Sequence, residues 1–358
     1  MAIAVTTRRL SSVAAPTTFA PWPEGPPEPG PNPPLPPLPP LSHRRRFWRT
    51  FNRACVRPFD LLSSAAMAAY LRCRGFRRRH VHTPLARVHV YACKGTGALP
   101  PLVLVHGIGG RPTDYFRMLT ALKGSYQEVL MPELPGHGFS RLYRRGTKVD
   151  RQAFVRCLEA TLNAVIRPEN PAVLFAHSLG GVFGAHYTLK HPERVRGLVL
   201  ASPTGAPFGA KLPAYRWLYS MRRLRDAREV AFKGFNRAQL FLPHFVWARL
   251  SAPLSQRMVM SDMFTHPLKP HALAALPVPV MLLWGADDHL LPPEQFTYFA
   301  RYLPPGTRIE RPCGVGHNNP ALGPVEVREP LERFAAQLAA HRVRRPRCLG
   351  SPPRIRHS

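Results

Sequence analysis

Val173-Leu174-Phe175-Ala176-His177-Ser178-Leu179-Gly180-Gly181 runs an apolar strand straight into a serine between small residues, and then into a helical pattern starting at about Leu179. A strand-to-helix turn sharp enough to lift a hydroxyl above a sheet forces a strained backbone. The positions two before and two after the serine must then be nearly free of side chain. Here they are Ala176 and Gly180. Ala176 departs by one methyl from the glycine usual at that position, and the methyl is expected to fit.

Three further stretches give the turn its context. Leu102-Val103-Leu104-Val105 is a short continuous apolar run, as expected of a strand buried on both faces, and it ends in His106-Gly107-Ile108-Gly109-Gly110. That places a glycine-rich loop at a strand's carboxyl end, where backbone N–H groups can point at an oxyanion. Val278 to Trp284 is a second buried strand, and the following Gly285-Ala286-Asp287-Asp288-His289-Leu290-Leu291-Pro292 delivers a carboxylate. Thr307-Arg308-Ile309-Glu310 leads through Cys313 to His317, just before a last amphipathic helix, and delivers an imidazole.

Serine, then acid, then histidine, each at a strand end, is the chain order of the α/β-hydrolases, and residues 84 to 341 resemble that superfamily. Glu133-Leu134-Pro135-Gly136-His137-Gly138-Phe139-Ser140 is similar to its acidic-x-Pro-Gly-x-Gly-x-Ser loop. Within the superfamily the chain looks most like monoacylglycerol-lipase-like proteins and bacterial serine esterases. The resemblance implies an α/β fold: a mainly parallel sheet with helices on both faces and a helical cap inserted at about 204–275. It also implies Ser178 as nucleophile, His317 as base, and the backbone N–H groups of Ile108 and Leu179 as oxyanion donors. The family pattern Gly-x-x-Asp-x-x-x-Pro aligns Gly285 and Pro292 with Asp288 rather than Asp287 as the acid.

At 358 residues the chain suits one α/β sheet enzyme with an insert. The net charge of +30 would attract nucleic acid, anionic lipid or an acidic partner. Of 50 basic residues 43 are arginine, which together with abundant Ala and Pro is what a GC-rich genome writes. No nucleic-acid-binding motif accompanies the charge, so nucleic acid is not an expected partner. The six cysteines, at 55, 73, 93, 157, 313 and 348, show no metal-ligand spacing, so no metal or cofactor is implied. They read as free thiols in a reducing, cytoplasmic compartment, with Cys157 in the core and Cys313 more readily packed than lining a site.

Residues 1–42 form a proline-rich tail expected to be disordered, with no apolar stretch long enough for a signal peptide. Residues 43–83 set aromatic and apolar side chains between Arg44-Arg45-Arg46 and Arg77-Arg78-Arg79. The apolar run is too short to span a bilayer, which needs ~20 residues. Two readings stand: a helix lying on an anionic membrane, making the protein peripheral, or a helix packed on the body with Arg in water. Residues 342–358 form a second basic tail. From Val88 onward strands and helices alternate, with Phe154, Leu158, Leu162 and Val165 on one face of a helix over 151–166. Between 204 and 275 the alternation stops in favour of aromatic residues, methionines and the cluster Arg222, Arg223, Arg225 and Arg228, a candidate anion contact or a solvated face.

The leading function is a serine hydrolase acting on an apolar, lipid-like acyl ester, of unknown oligomeric state. Serine at the elbow sets it apart from the epoxide hydrolases and haloalkane dehalogenases, which use Asp there, and the dienelactone hydrolases, which use Cys. Acyl transfer, thioester cleavage and carbon–carbon bond hydrolysis share the same machinery. A non-catalytic basic binding protein is the alternative from another class. His106, His137 and His177 sit beside turns, where an imidazole can brace a loop.

Overall fold

Leu102 to Val105 pair in parallel register on both sides, with 129–130 and with 173–176, and every one of these strand residues is buried. The structure, a computed structural model, describes residues 57–143, 151–211, 233 and 267–343. In chain order the elements are α1 (Arg57–Cys73), β1 (Arg77–His82), β2 (Ala86–Lys94), β3 (Leu102–Val105), a 3-10 turn (Pro112–Tyr115) continuing into α2 (Phe116–Leu122), β4 (Glu128–Pro132) and β5 (Arg141–Leu142). There follow α3 (Arg151–Val165), β6 (Ala172–His177), α4 (Leu179–Lys190), β7 (Val195–Ala201), α5 (Pro270–Ala274), β8 (Val280–Leu283), α6 (Pro293–Tyr302), β9 (Arg308–Glu310) and α7 (Val325–Val343). The strands lie in the order β1-β2-β4-β3-β6-β7-β8-β9, with β5 on β2; β1, β2 and β5 are antiparallel and the rest parallel.

Alternate residues of each central strand feed two cores, one on either face of the sheet. Val103, Val105, Leu174, Leu198, Leu200 and Leu282 meet α3, α4 and α6. Leu102, Leu104, Phe175, Val199, Met281 and Leu283 meet α1, α2 and α7. A strand covered on both sides needs an unbroken apolar run, which is why these strands were readable without alternation. Phe154, Leu158 and Leu162 are buried on α3, as their spacing predicts, together with Cys157, while Val165 at the end of the same face is half-buried.

The sheet starts at Arg77, upstream of the boundary expected at 84, because β1 pairs with β2 over six residues. In the described part of the basic segment, α1 packs on the body. Leu71 is buried, Ser64 accepts a 2.6 Å hydrogen bond from Arg111, and Tyr70 meets Phe116 edge to face. No helix among the described residues is long and apolar enough to cross a membrane. Of the four described cysteines Cys93 and Cys157 are buried, but Cys313, expected to pack, is exposed. The tails before 57 and after 343, most of the expected cap and Arg222 to Arg228 lie outside the described residues.

The two ends of the insert are described, and they meet. The backbone N–H of Leu268 donates to the carbonyl of Gly205 at 2.7 Å. Buried Gln295 of α6 grips the outgoing chain of this neck, taking the Ala206 N–H and donating to the Ala206 and Pro207 carbonyls, while Tyr298 donates to the Leu268 carbonyl.

The methyl of Ala176 fits because α4 makes room for it: a Cβ built on Gly184 would lie 2.6 Å from that of Ala176. The two positions share one methyl's worth of space. Gly184→Ala should therefore cost ~1–3 kcal/mol in chemical denaturation, and adding Ala176→Gly should recover most of it; equal loss in single and double variants would refute the pairing.

Candidate active site

Ser178 has φ 54° and ψ −118°, a conformation costly for any residue with a Cβ. Its surroundings leave no alternative. The Ser178 N–H donates to the Ala201 carbonyl at 2.9 Å, and the Ser178 carbonyl accepts from Gly181 and Thr204. A Cβ on Gly180 would lie 2.4 Å from the Val105 carbonyl, and one on Gly107 would lie 2.8 Å from Ser178 Cβ, so both glycines are needed for close approach. The bare Gly107 lets the 106–110 loop close over the hydroxyl. Ile108 of that loop and Leu179, the residue after the serine, are both buried, and Leu179 opens the twelve-residue α4, whose N-terminus favours negative charge.

The three side chains singled out in the sequence come together. His317 Nε2 lies 2.9 Å from Ser178 Oγ, and His317 Nδ1 lies 2.8 Å from Asp288 Oδ2. The carboxylate can only accept, so Nδ1 carries the proton and Nε2 is left free to take one from the hydroxyl. Asp288 Oδ1 accepts from the backbone of Leu290 and Leu291. Burial opposes ionisation of Asp288, but His317, the Leu291 N–H and the Ser202 side chain outweigh it and hold the carboxyl below its usual range. Asp287 points elsewhere: it accepts from the Gly314 N–H at 2.9 Å and so ties down the loop that carries His317.

The neighbouring histidines are braces, and each has its tautomer fixed by a carbonyl. His177 donates from Nε2 to the His317 carbonyl at 2.7 Å and accepts from the Tyr115 hydroxyl at Nδ1. His106 donates to the Gly107 carbonyl and accepts from the Leu134 N–H; His137 donates to the Pro135 carbonyl and accepts from the Gly109 N–H. The last two cross between the 106–110 and 133–140 loops and lock them together. Burial pushes His106 down to about 4 and His177 to about 3. Glu133 anchors the second loop by accepting from Phe139 and Ser140, yet burial, outweighing these bonds and Arg111, raises it to about 8.

Sequence reasoning missed Ser202, which supports Asp288, and Tyr115, which supports His177. Neither belongs to a recognisable motif; Ser202 is visible only as the residue after β7, with φ 38°. Among the described residues no cluster of His, Cys, Asp or Glu could hold a metal ion.

The chain belongs to the alpha/beta hydrolase family, whose profile matches residues 102–337. It is 33% identical over 126 residues to a 1-acylglycerol-3-phosphate O-acyltransferase of Arabidopsis thaliana, covering 34% of this chain but only 29% of the plant protein. To Lipase 1 of Psychrobacter immobilis it is 24% identical, over 60% of this chain and 70% of the lipase. Its fold is similar to that of naproxen esterase from Bacillus subtilis, with a TM-score of 0.61 and 19% identity, covering 76% of this chain and 97% of the esterase.

The buried ionisable groups give the fold opposed pH dependences. His106 and His177 take up protons more readily when unfolded, so stability falls as pH drops below about 6.5, the ordinary histidine value. Glu133 holds its proton more tightly when folded, so its stabilisation is lost as pH rises towards about 8. Thermal melts should show a maximum near pH 6.5, and Glu133→Gln should flatten the alkaline side. With one pKa unit worth about 1.4 kcal/mol and each kcal/mol about 2–4 °C in a domain of this size, the difference at about pH 9 should reach several degrees. Identical alkaline slopes in the two proteins would contradict this.

Proposed function

We propose that the chain is a serine hydrolase that cleaves a carboxylic ester of an apolar acyl group through an acyl-enzyme. The observation that carries this reading is the continuous chain of hydrogen bonds from Ser178 Oγ through His317 to Asp288, at 2.9 and 2.8 Å. Ser178 attacks the ester carbonyl as His317 Nε2 takes its proton, and Asp288 stabilises the resulting imidazolium. The backbone N–H groups of Ile108 and Leu179 hold the oxyanion, a donor of this kind being worth about 2.7–4 kcal/mol. His317 then protonates the leaving alcohol, and the same residues activate a water to release the acid.

Lipases and esterases among the relatives support an ester substrate, and the apolar residues of the 204–275 insert, by sequence, support an acyl pocket. The plant acyltransferase relative favours a second reading on the same acyl-enzyme, in which an alcohol replaces water as acceptor. Product analysis with and without an added alcohol separates the two.

Ser178→Ala should abolish fluorophosphonate labelling and ester turnover while the protein stays folded, and His317→Ala should abolish turnover. A folded Ser178→Ala protein that still labels would refute the nucleophile. Asp288→Asn should reduce kcat by about 10⁴-fold, as loss of the correct tautomer does elsewhere, and Asp287→Asn far less. The reverse order would transfer the role to Asp287.

A further inference from the structure

We propose that the face of the sheet built by β1, β2 and β5 is a docking surface for an anionic phospholipid bilayer, with Arg78, Arg87 and Arg141 as its phosphate-facing cations. In the antiparallel register His82 lies opposite Arg87, His80 opposite His89 and Arg78 opposite Tyr91, while on the other side of β2 Arg87 lies opposite Arg141. Directly opposed residues share a face, so three arginines and three histidines crowd together at this corner. The two central histidines nearly touch, their Nε2 atoms 3.1 Å apart.

Like charges placed directly across a ladder are destabilising. None of the three arginines has a carboxylate partner among the described residues, whereas Arg79, on the opposite face of β1, is 3.7 Å from Glu128. Basic residues on an edge strand can serve simply to block pairing with another sheet. That explains β1 but not Arg87, which sits on a strand paired on both sides. The positive potential is strong enough to act on its own members: burial first, then Arg87, Arg78 and His82, hold His80 below the usual histidine range, and burial first, then His80 and the three arginines, lower His89 to about 4. The arrangement is cohesive once an apposed anion supplies the missing charge.

A bilayer fits better than other polyanions for two reasons. The first is position. Val90 is opposite Pro132 at the carboxyl end of β4, so residues 86–89 lie at the edge of the sheet that carries Ser178. His89 is bonded through its backbone to Glu133 and Ser140, and its ring stacks on Phe139, over which Arg78 also lies. That loop is the one locked to the 106–110 loop, so docking here would present the site to the lipid surface. The second is the exposed Tyr143, hydrogen-bonded to His82 beside the patch, an aromatic with a polar tip of the kind that sits at headgroup level. The preference for lipid rests on the acyl-ester reading of the site; the cationic face itself does not.

The test is co-sedimentation of the full-length protein with phosphatidylcholine vesicles, with and without phosphatidylglycerol. Binding should require phosphatidylglycerol and weaken with salt. Arg78→Gln/Arg87→Gln/Arg141→Gln should lower partitioning on the order of a hundredfold, as expected for three basic side chains at an anionic surface. The equal-charge control Arg72→Gln/Arg77→Gln/Arg301→Gln, on other exposed positions, should lower it far less. If the triple variant melts below the parent, the exposed Arg141→Gln alone decides, with an expected loss of about fivefold. Ser178→Ala should bind vesicles as the parent does, which separates this inference from the catalytic one. Equal loss in patch and control variants would reduce the effect to net charge and overturn the proposal, as would the parent ignoring phosphatidylglycerol vesicles at low salt. Loss of binding to a DNA duplex by the patch variant, with vesicle binding intact, would overturn it in favour of nucleic acid.

Discussion

The positive φ at Ser178 is the constraint on which the rest of the site depends. A non-glycine residue in this region costs about 1–3 kcal/mol and persists only where its surroundings over-determine it. Here the backbone is fixed on the β7 side by Ala201 and Thr204 and from within α4 by Gly181. The buried parallel strands on either side of β6 supply the rigidity, and Gly180 and Gly107 supply the clearance. Every other group at the site is then placed by reference to this turn. His317 is held through its carbonyl by the residue just before the serine, so Ser178 and His317 share one anchor.

That coupling explains why His106, His137 and His177 are buried. A buried imidazole is stable when neutral and when both nitrogens are engaged, and His106, His137 and His177 each pair one backbone carbonyl with one donor. A lysine or carboxylate in the same place would bury a charge beside His317. These histidines cross-link loops without burying a net charge beside Ser178.

The sequence was legible where the structure repeats a local rule. The doubly buried strands announced themselves as apolar runs, Arg151 to Val165 as a helical face, and Ser178, Asp288 and His317, which the fold brings together, as strand ends in sequence order. Asp288 was separable from Asp287 by its spacing to Gly285 and Pro292, and the geometry brings Asp288, not Asp287, to His317. What was not legible depended on pairing between distant segments. Arg77 to His82 is charged and exposed, so nothing in its own composition marks a strand; it becomes one because β2 offers a free ladder. The two-residue β5 is beyond any periodicity argument. Gln295, Ser202 and Tyr115 have roles set only by what the fold brings opposite them.

The hydrogen-bonded neck between Gly205 and Leu268 has a consequence for how the protein can vary. Because Gly205 and Leu268 lie side by side, the length and sequence of the chain between them need not alter the register of the sheet, and closing a longer loop costs little more than closing a shorter one. Gln295 and Tyr298 then act as a fixed socket belonging to α6, indifferent to what is plugged into it. Selection can exchange the sequence between Gly205 and Leu268 without disturbing the turn at Ser178. The chemistry and the choice of molecule it acts on are therefore free to evolve at different rates.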